Sequence, residues 1–129
     1  MRIPHRPNLD AFVIFMPEFN AGSLMSVQKL IPGNKFNDKQ IWIISWQIIK
    51  GMVALNENNI IHYDLKHENI LVHIPDIKSK NVEKTIWEWT GDEIIPQVVV
   101  ADYGESKFQT KVKSEKYEMI GTIVFMAPE

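Results

Sequence analysis

The chain has 129 residues, 45% of them apolar and 23% charged, which is the make-up of one folded domain and excludes disordered, collagen-like and disulfide-scaffold chains. Fourteen Lys and Arg against sixteen Asp and Glu give a formal charge of −2, so no whole-chain attraction to nucleic acid or an anionic membrane surface is expected. With zero cysteines, thiolate metal clusters, disulfides and Cys nucleophiles are ruled out, and a cytoplasmic location is only the default expectation. The N-terminal stretch carries Arg2, Pro4, His5, Arg6, Pro7 and Asp10, which spoil both a signal peptide and a membrane span.

In chain order, Ala11 to Met16 is a short apolar run of β-formers stopped by Pro17, and it reads as a buried strand. Glu18 to Ser23 reads as a linker. The longest helical pattern runs from about Asp38 to Asn58, with Asn37 or Asp38 as its cap. Ile41, Ile44, Ile48, Met52 and Leu55 form one stripe, and Trp42, Trp46 and Ile49 widen it, so burial on most sides is expected. Gly51 lies inside that helix at a cost of about 1 kcal/mol relative to Ala, which points to close approach by a neighbouring element.

Beyond the helix, Ile60-Ile61 and Ile70-Leu71-Val72 read as strands around a polar loop, 62–69. Residues 74–97 are mixed and charged and look like an insertion before a further buried strand, Val98 to Ala101. If that insertion were extended, Trp87 and Trp89 would share a face and form a docking surface; the preferred expectation is that it folds back and packs both on the domain. Residues 102–129 read as a long functional loop, with Lys107, Lys111, Lys113 and Lys116 interleaved with Glu105, Glu115 and Glu118 as a solvated surface.

The loop His62-Tyr63-Asp64-Leu65-Lys66-His67-Glu68-Asn69 offers a carboxylate, an ammonium two residues later and a carboxamide five residues later. That set suits phosphoryl transfer: a carboxylate can orient a hydroxyl and take its proton, Lys66 can neutralise developing charge, and the Asn69 carbonyl is a hard ligand for magnesium. Asp102, placed after a strand and followed by Tyr103-Gly104, supplies a second hard ligand. Taken singly, such residues are more often turn formers or solvated charges, and His62 is more often a hydrogen-bonded core residue.

These residues carry a resemblance. His62 to Asn69 resembles the catalytic loop of eukaryotic-type protein kinases, Asp102-Tyr103-Gly104 the magnesium-binding tripeptide, and Gly121-Thr122 with Met126-Ala127-Pro128-Glu129 the end of the activation segment. The resemblance implies an α+β, protein-kinase-like fold: a hinge at about 12–24, the long helix at 38–58, the catalytic loop at 62–69, the insertion at 74–97 and the activation segment at 102–129. It implies ATP and Mg2+ as cofactors, a protein with a Ser or Thr acceptor as partner, Asp64 as base and Lys66 as the contact to the transferred phosphoryl. Asn69 and Asp102 would hold magnesium, and Leu71 would lie under the adenine. Met16 would be the gatekeeper, with Pro17, Glu18 and Phe19 as the hinge; Pro17 fits a position that offers only its carbonyl, and Phe19 would supply its main-chain N–H and C=O.

Lys66 and Gly121-Thr122 match the Ser/Thr class, and Gly22-Ser23-Leu24, the Asp-Tyr-Gly tripeptide and the insertion resemble the tyrosine-kinase-like, Roco-type subgroup. Tyr63 stands where many kinases have an Arg that pairs with a phosphorylated loop, so activation without that pairing is expected, although Thr110, Ser114, Tyr117 and Thr122 are hydroxyls. Tyr103 replaces the usual Phe and brings a hydroxyl that needs a partner if buried. No Gly-rich loop, Val-Ala-x-Lys strand or Glu-bearing helix precedes the first strand, so the 129 residues by themselves are expected to be inactive and marginally folded. The rival readings are a pseudokinase scaffold that binds nucleotide or partners without catalysis, and a small-molecule kinase of the aminoglycoside or choline type.

Overall fold

The computed structural model describes residues 13–77, 81–109 and 121–126. Its longest element, the helix α2 (Asp38–Glu57), begins at Asn37, whose side chain accepts from the Gln40 backbone N–H at 3.0 Å while the Gln40 side chain accepts from the Asn37 N–H at 2.8 Å. This reciprocal cap satisfies two of the four N–H groups a helix start leaves unpaired. The C-terminal end closes on Asn58, with Asn59 in the left-handed region at φ 56°.

One face of α2, built on Ile44 with Ile48 and Met52, packs on the core, and the other does not. Ile41, Trp42, Trp46, Ile49 and Val53 are exposed, Trp42 to 72%, which corrects the expectation of burial on most sides. The reason is geometric: the described residues put a sheet against one side of the cylinder and nothing against the opposite one. Gly51 behaves as its placement predicts, because a Cβ there would lie 3.3 Å from Val100 Cγ2.

That neighbouring strand belongs to a three-stranded antiparallel sheet in the order β1-β3-β4, with β1 at Gly22–Ser23, β3 at Ile70–His73 and β4 at Gln97–Val100. Ile70, Val72, Val98 and Val100 point to the core side, as period-2 alternation requires, and meet Leu24 and Val27 of helix α1 (Leu24–Leu30). Burying each such side chain contributes about 1.5–3 kcal/mol, so this small sheet is the anchor of the fold. A second pair joins β2 (Ile60–Ile61) to β5 (Lys107–Phe108).

Residues 74–97 do connect paired strands, β3 and β4, and the described ones among them contain a helix and do not present the two indoles as an exposed pair. Helix α3 (Val82–Glu88) buries Val82 and Ile86, and Trp89, only 6% exposed, donates from its indole to the Ile94 carbonyl at 2.9 Å. Trp87 is 59% exposed. Trp87 lies in the last turn of α3 and faces out, while Trp89, the residue that ends the helix in an extended conformation, turns inward, so the fold-back expectation holds for Trp89 alone. The segment is clamped to α2 by Gln40 Nε2 to the Trp89 carbonyl at 2.6 Å, Asn37 Nδ2 to the Thr90 carbonyl at 2.8 Å and the Lys39–Asp92 ion pair at 2.7 Å.

The strand expected at 11–16 is the clearest departure. Residues 13–16 have no regular structure and are exposed, Phe15 to 90%; 11 and 12 lie outside the described residues. A strand needs a neighbour for its N–H and C=O groups, and the described residues offer this run none. In the expected activation segment, Thr110, Ser114, Tyr117 and Ala127-Pro128-Glu129 lie outside the described residues. Ile123–Phe125 form a 3-10 turn, and no described helix is long and apolar enough to cross a membrane.

Candidate active site

The loop 62–69 is suspended between β2 and β3, and its first residue is structural. His62 is almost fully buried; its Nδ1 accepts from the Asp64 backbone N–H at 3.2 Å, which requires the Nε2–H tautomer, and Nε2 then donates to the Ala101 carbonyl at 3.0 Å. The hydrogen-bonded reading of this histidine is therefore correct. Its ring also leans on Tyr103, centroids 5.3 Å apart; Tyr103 is exposed, and its hydroxyl donates to the Val100 carbonyl at 2.9 Å. Further along, the Ala101 N–H donates to the Asn69 carbonyl at 2.8 Å, tying the end of β4 to the end of the loop.

Asp64 is the hub of the loop. Its Oδ2 accepts from Lys66 Nζ at 2.6 Å and Asn69 Nδ2 at 3.0 Å, and its Oδ1 accepts from Thr122 Oγ1 at 2.5 Å. Lys66 closes the ring by donating to Thr122 Oγ1 at 2.9 Å, and Asn69 Nδ2 also reaches the Asp64 carbonyl at 2.9 Å. The Asp64 and Lys66 side chains are 11% and 22% exposed. The Lys66 hydrogen bond, then that of Thr122, hold the Asp64 carboxyl down to about 2, against a smaller desolvation effect. Lys66 is raised in turn, chiefly by its bond to Asp64 and further by the charges of Glu68 and Asp102. Asp64 is thus an anion at neutral pH, and its carboxylate is oriented through both oxygens.

Thr122 is the participant that sequence reading treats only as a hydroxyl in a motif. It reaches Asp64 because Gly121 has φ 104° and passes directly against the Tyr63 carbonyl, where a Cβ would overlap the oxygen. Tyr63 itself is held at φ 65°, and so is the tripeptide's Asp102, at φ 61°. The Gly-Thr pair was the available signal, but a contact across 58 positions has no local signature.

Asp102 is exposed, accepts from the Gly104 N–H at 3.3 Å, and follows the residue bonded to Asn69. The amide nitrogen of Asn69 is committed to Asp64, which leaves its oxygen as the end a hard cation would use. No group of three His, Cys, Asp or Glu able to hold a metal exists among the described residues. Two oxygen donors without a closed cage fit magnesium, which keeps several waters and takes other ligands from substrate phosphates. Leu71 is half-buried on β3, two residues past Asn69 and opposite Ser23. Met16, Pro17 and Glu18 are exposed coil and are not brought to the Asp64 cluster, whereas Phe19 stands edge-on to His73, centroids 6.5 Å apart. The Phe19 carbonyl accepts from the Gly22 N–H at 3.0 Å, leaving one lone pair for a second donor.

The family model described as "Protein kinase domain" matches residues 7–129. The chain is similar to the DNA damage response protein kinase DUN1 of Saccharomyces cerevisiae, 30% identical over 142 aligned positions that cover 100% of this chain and 27% of that protein. It is also similar to the serine/threonine-protein kinase pakG of Dictyostelium discoideum, at 30% identity over 93% of this chain and 8% of that protein. The human mitogen-activated protein kinase kinase kinase 6 is 29% identical over 90% of this chain and 8% of its own length.

Proposed function

The chain belongs to the protein kinase family, and from that premise we propose that the protein containing it transfers the γ-phosphoryl group of ATP to Ser or Thr hydroxyls of a protein substrate. The observation that carries this reading is the Asp64 carboxylate, gripped at once by Lys66, Asn69 and Thr122. In the reaction the acceptor oxygen bonds to the γ-phosphorus, the bond from that phosphorus to the bridging oxygen breaks, ADP leaves, and the hydroxyl proton is released.

Asp64 orients the acceptor hydroxyl and accepts its proton. A carboxylate held at about 2 is a weak base, so proton transfer comes late, as the oxygen loses its basicity to phosphorus. Oδ1 can accept a second hydrogen bond while keeping Thr122, because each carboxylate oxygen has two lone pairs. Lys66, fixed between Asp64 and Thr122, meets the charge on the transferred group. Asn69 and Asp102 would hold magnesium, which supplies neutralisation of the phosphate oxygens when bound. Met16, Pro17, Glu18 and Phe19 would line the adenine edge through main-chain groups, and Leu71 its face.

The test is an ATP-dependent phosphorylation assay on the full-length protein with generic protein acceptors, reading modified residues by mass spectrometry. Phosphoserine and phosphothreonine are expected. Binding of ATP with magnesium but no transfer would favour the pseudokinase reading instead.

A further inference from the structure

The β1–β3 ladder stops one rung early, and a side chain completes it. Gly22 pairs with Val72 and Ser23 with Leu71, and the Ala21 N–H donates to the Val72 carbonyl at 3.1 Å. Continued by two residues, the same register would set Asn20 opposite Ile74. The backbone instead leaves the sheet at the Phe19–Gly22 turn, with Gly22 at φ 72°. The Asn20 amide fills the vacant rung: Oδ1 accepts from the Ile74 N–H at 2.8 Å and Nδ2 donates to the Ile74 carbonyl at 2.9 Å, with the Ile77 carbonyl at 3.4 Å. This is the two-bond exchange of an antiparallel hydrogen-bonded pair, made by a side chain.

The result is a main chain at Phe19 that is turned out of the sheet yet held to it. The neighbouring His73 supports the same spot: its ring packs edge-on to Phe19, and its Nδ1 is buried without a hydrogen-bond partner among the described residues. Ile74 follows β3 directly and is 2% exposed within the hydrophobic core, so the tether ends on packed structure.

We propose that Asn20 is a positioning residue for nucleotide recognition, fixing the main-chain groups of Phe19 through Ile74 so that they are preorganised for the adenine edge. This rests on the kinase reading above. Without the rung, Phe19 samples other orientations, only the competent fraction binds, and apparent affinity falls by that fraction.

The experiment measures, in the full-length protein, kcat, KM for ATP and for the acceptor protein, and the dissociation constant of adenosine by calorimetry. Asn20→Ala is expected to raise KM for ATP and the adenosine constant about fivefold to thirtyfold, with kcat within about twofold and acceptor KM unchanged. Asn20→Asp keeps the acceptor but sets an anion against two carbonyls, and it carries the same prediction if the alanine variant does not fold. Unchanged adenosine binding in the variants, absent adenosine binding in the unaltered protein, or a fall in kcat and melting temperature without a rise in KM for ATP overturns the role. Phosphoryl transfer by the unaltered protein is scored separately: its failure removes the kinase reading, while adenosine affinity still decides the role of Asn20.

Discussion

Replacing Gly121 by Ala isolates the contact between the two ends of the site. At φ 104° an L-residue is in a region that costs about 1–3 kcal/mol, and the added methyl overlaps the Tyr63 carbonyl oxygen, with the Tyr63 carbonyl carbon 3.2 Å away and Asp64 Cα at 3.9 Å. All three atoms are backbone, and Tyr63 is already constrained at φ 65°, so the segment carrying Gly121 must move. Moving it draws Thr122 off Asp64 and Lys66, removing the 2.5 and 2.9 Å bonds. A displacement of about 1 Å at reacting groups costs on the order of 100-fold in rate, which is the loss expected in kcat. KM for ATP should change less than about threefold, because Asn69 keeps both its bonds to Asp64. Thr122→Ser, which retains the hydroxyl, serves as the reference. Steady-state kinetics on the full-length protein provide the assay; a Gly121→Ala variant with kcat within twofold of the unaltered enzyme would refute the reasoning.

The remaining predictions concern pH and packing. Because the Asp64 carboxyl is depressed to about 2, its contribution to stability is complete above an unfolded value of about 4 and is lost as pH falls through about 2, so a carbon-detected titration of Asp64 should show no inflection between pH 4 and 7. An inflection inside that window would contradict the Lys66 and Thr122 bonds. Gln40 is 2% exposed and bonds Trp89 and the helix start together, so Gln40→Ala should cost about 2–4 kcal/mol in chemical denaturation, with a loss below about 0.5 kcal/mol contradicting the clamp.

What the chain discloses in its letters divides along the range of the interactions. Helix α2 and strands β2, β3 and β4 were legible because capping, 3.6-residue periodicity and short β-branched runs act over a few residues. The Asp64, Lys66 and Asn69 constellation was legible because six consecutive positions of one loop contain it. Thr122 was not, since its approach depends on a glycine passing a distant carbonyl. The run at 13–16 looked like a strand because composition records apolarity and says nothing of a pairing neighbour. Strand β5, Lys107–Phe108, and its pairing with β2 were not legible, because two residues are too few for alternation to register. The preferred fold-back of the insertion was right for Trp89 and not for Trp87, because spacing alone does not tell that a helix ends between them and turns only the second ring inward.

The central claim is that Asp64 does the acid–base and orienting work of phosphoryl transfer. The most direct measurement compares kcat and ATP affinity of the full-length protein with its Asp64→Asn variant under identical conditions. The account predicts a fall in kcat of about 100- to 10,000-fold with ATP affinity changed by less than about threefold. An Asp64→Asn variant that phosphorylates protein acceptors at the unaltered rate would contradict it.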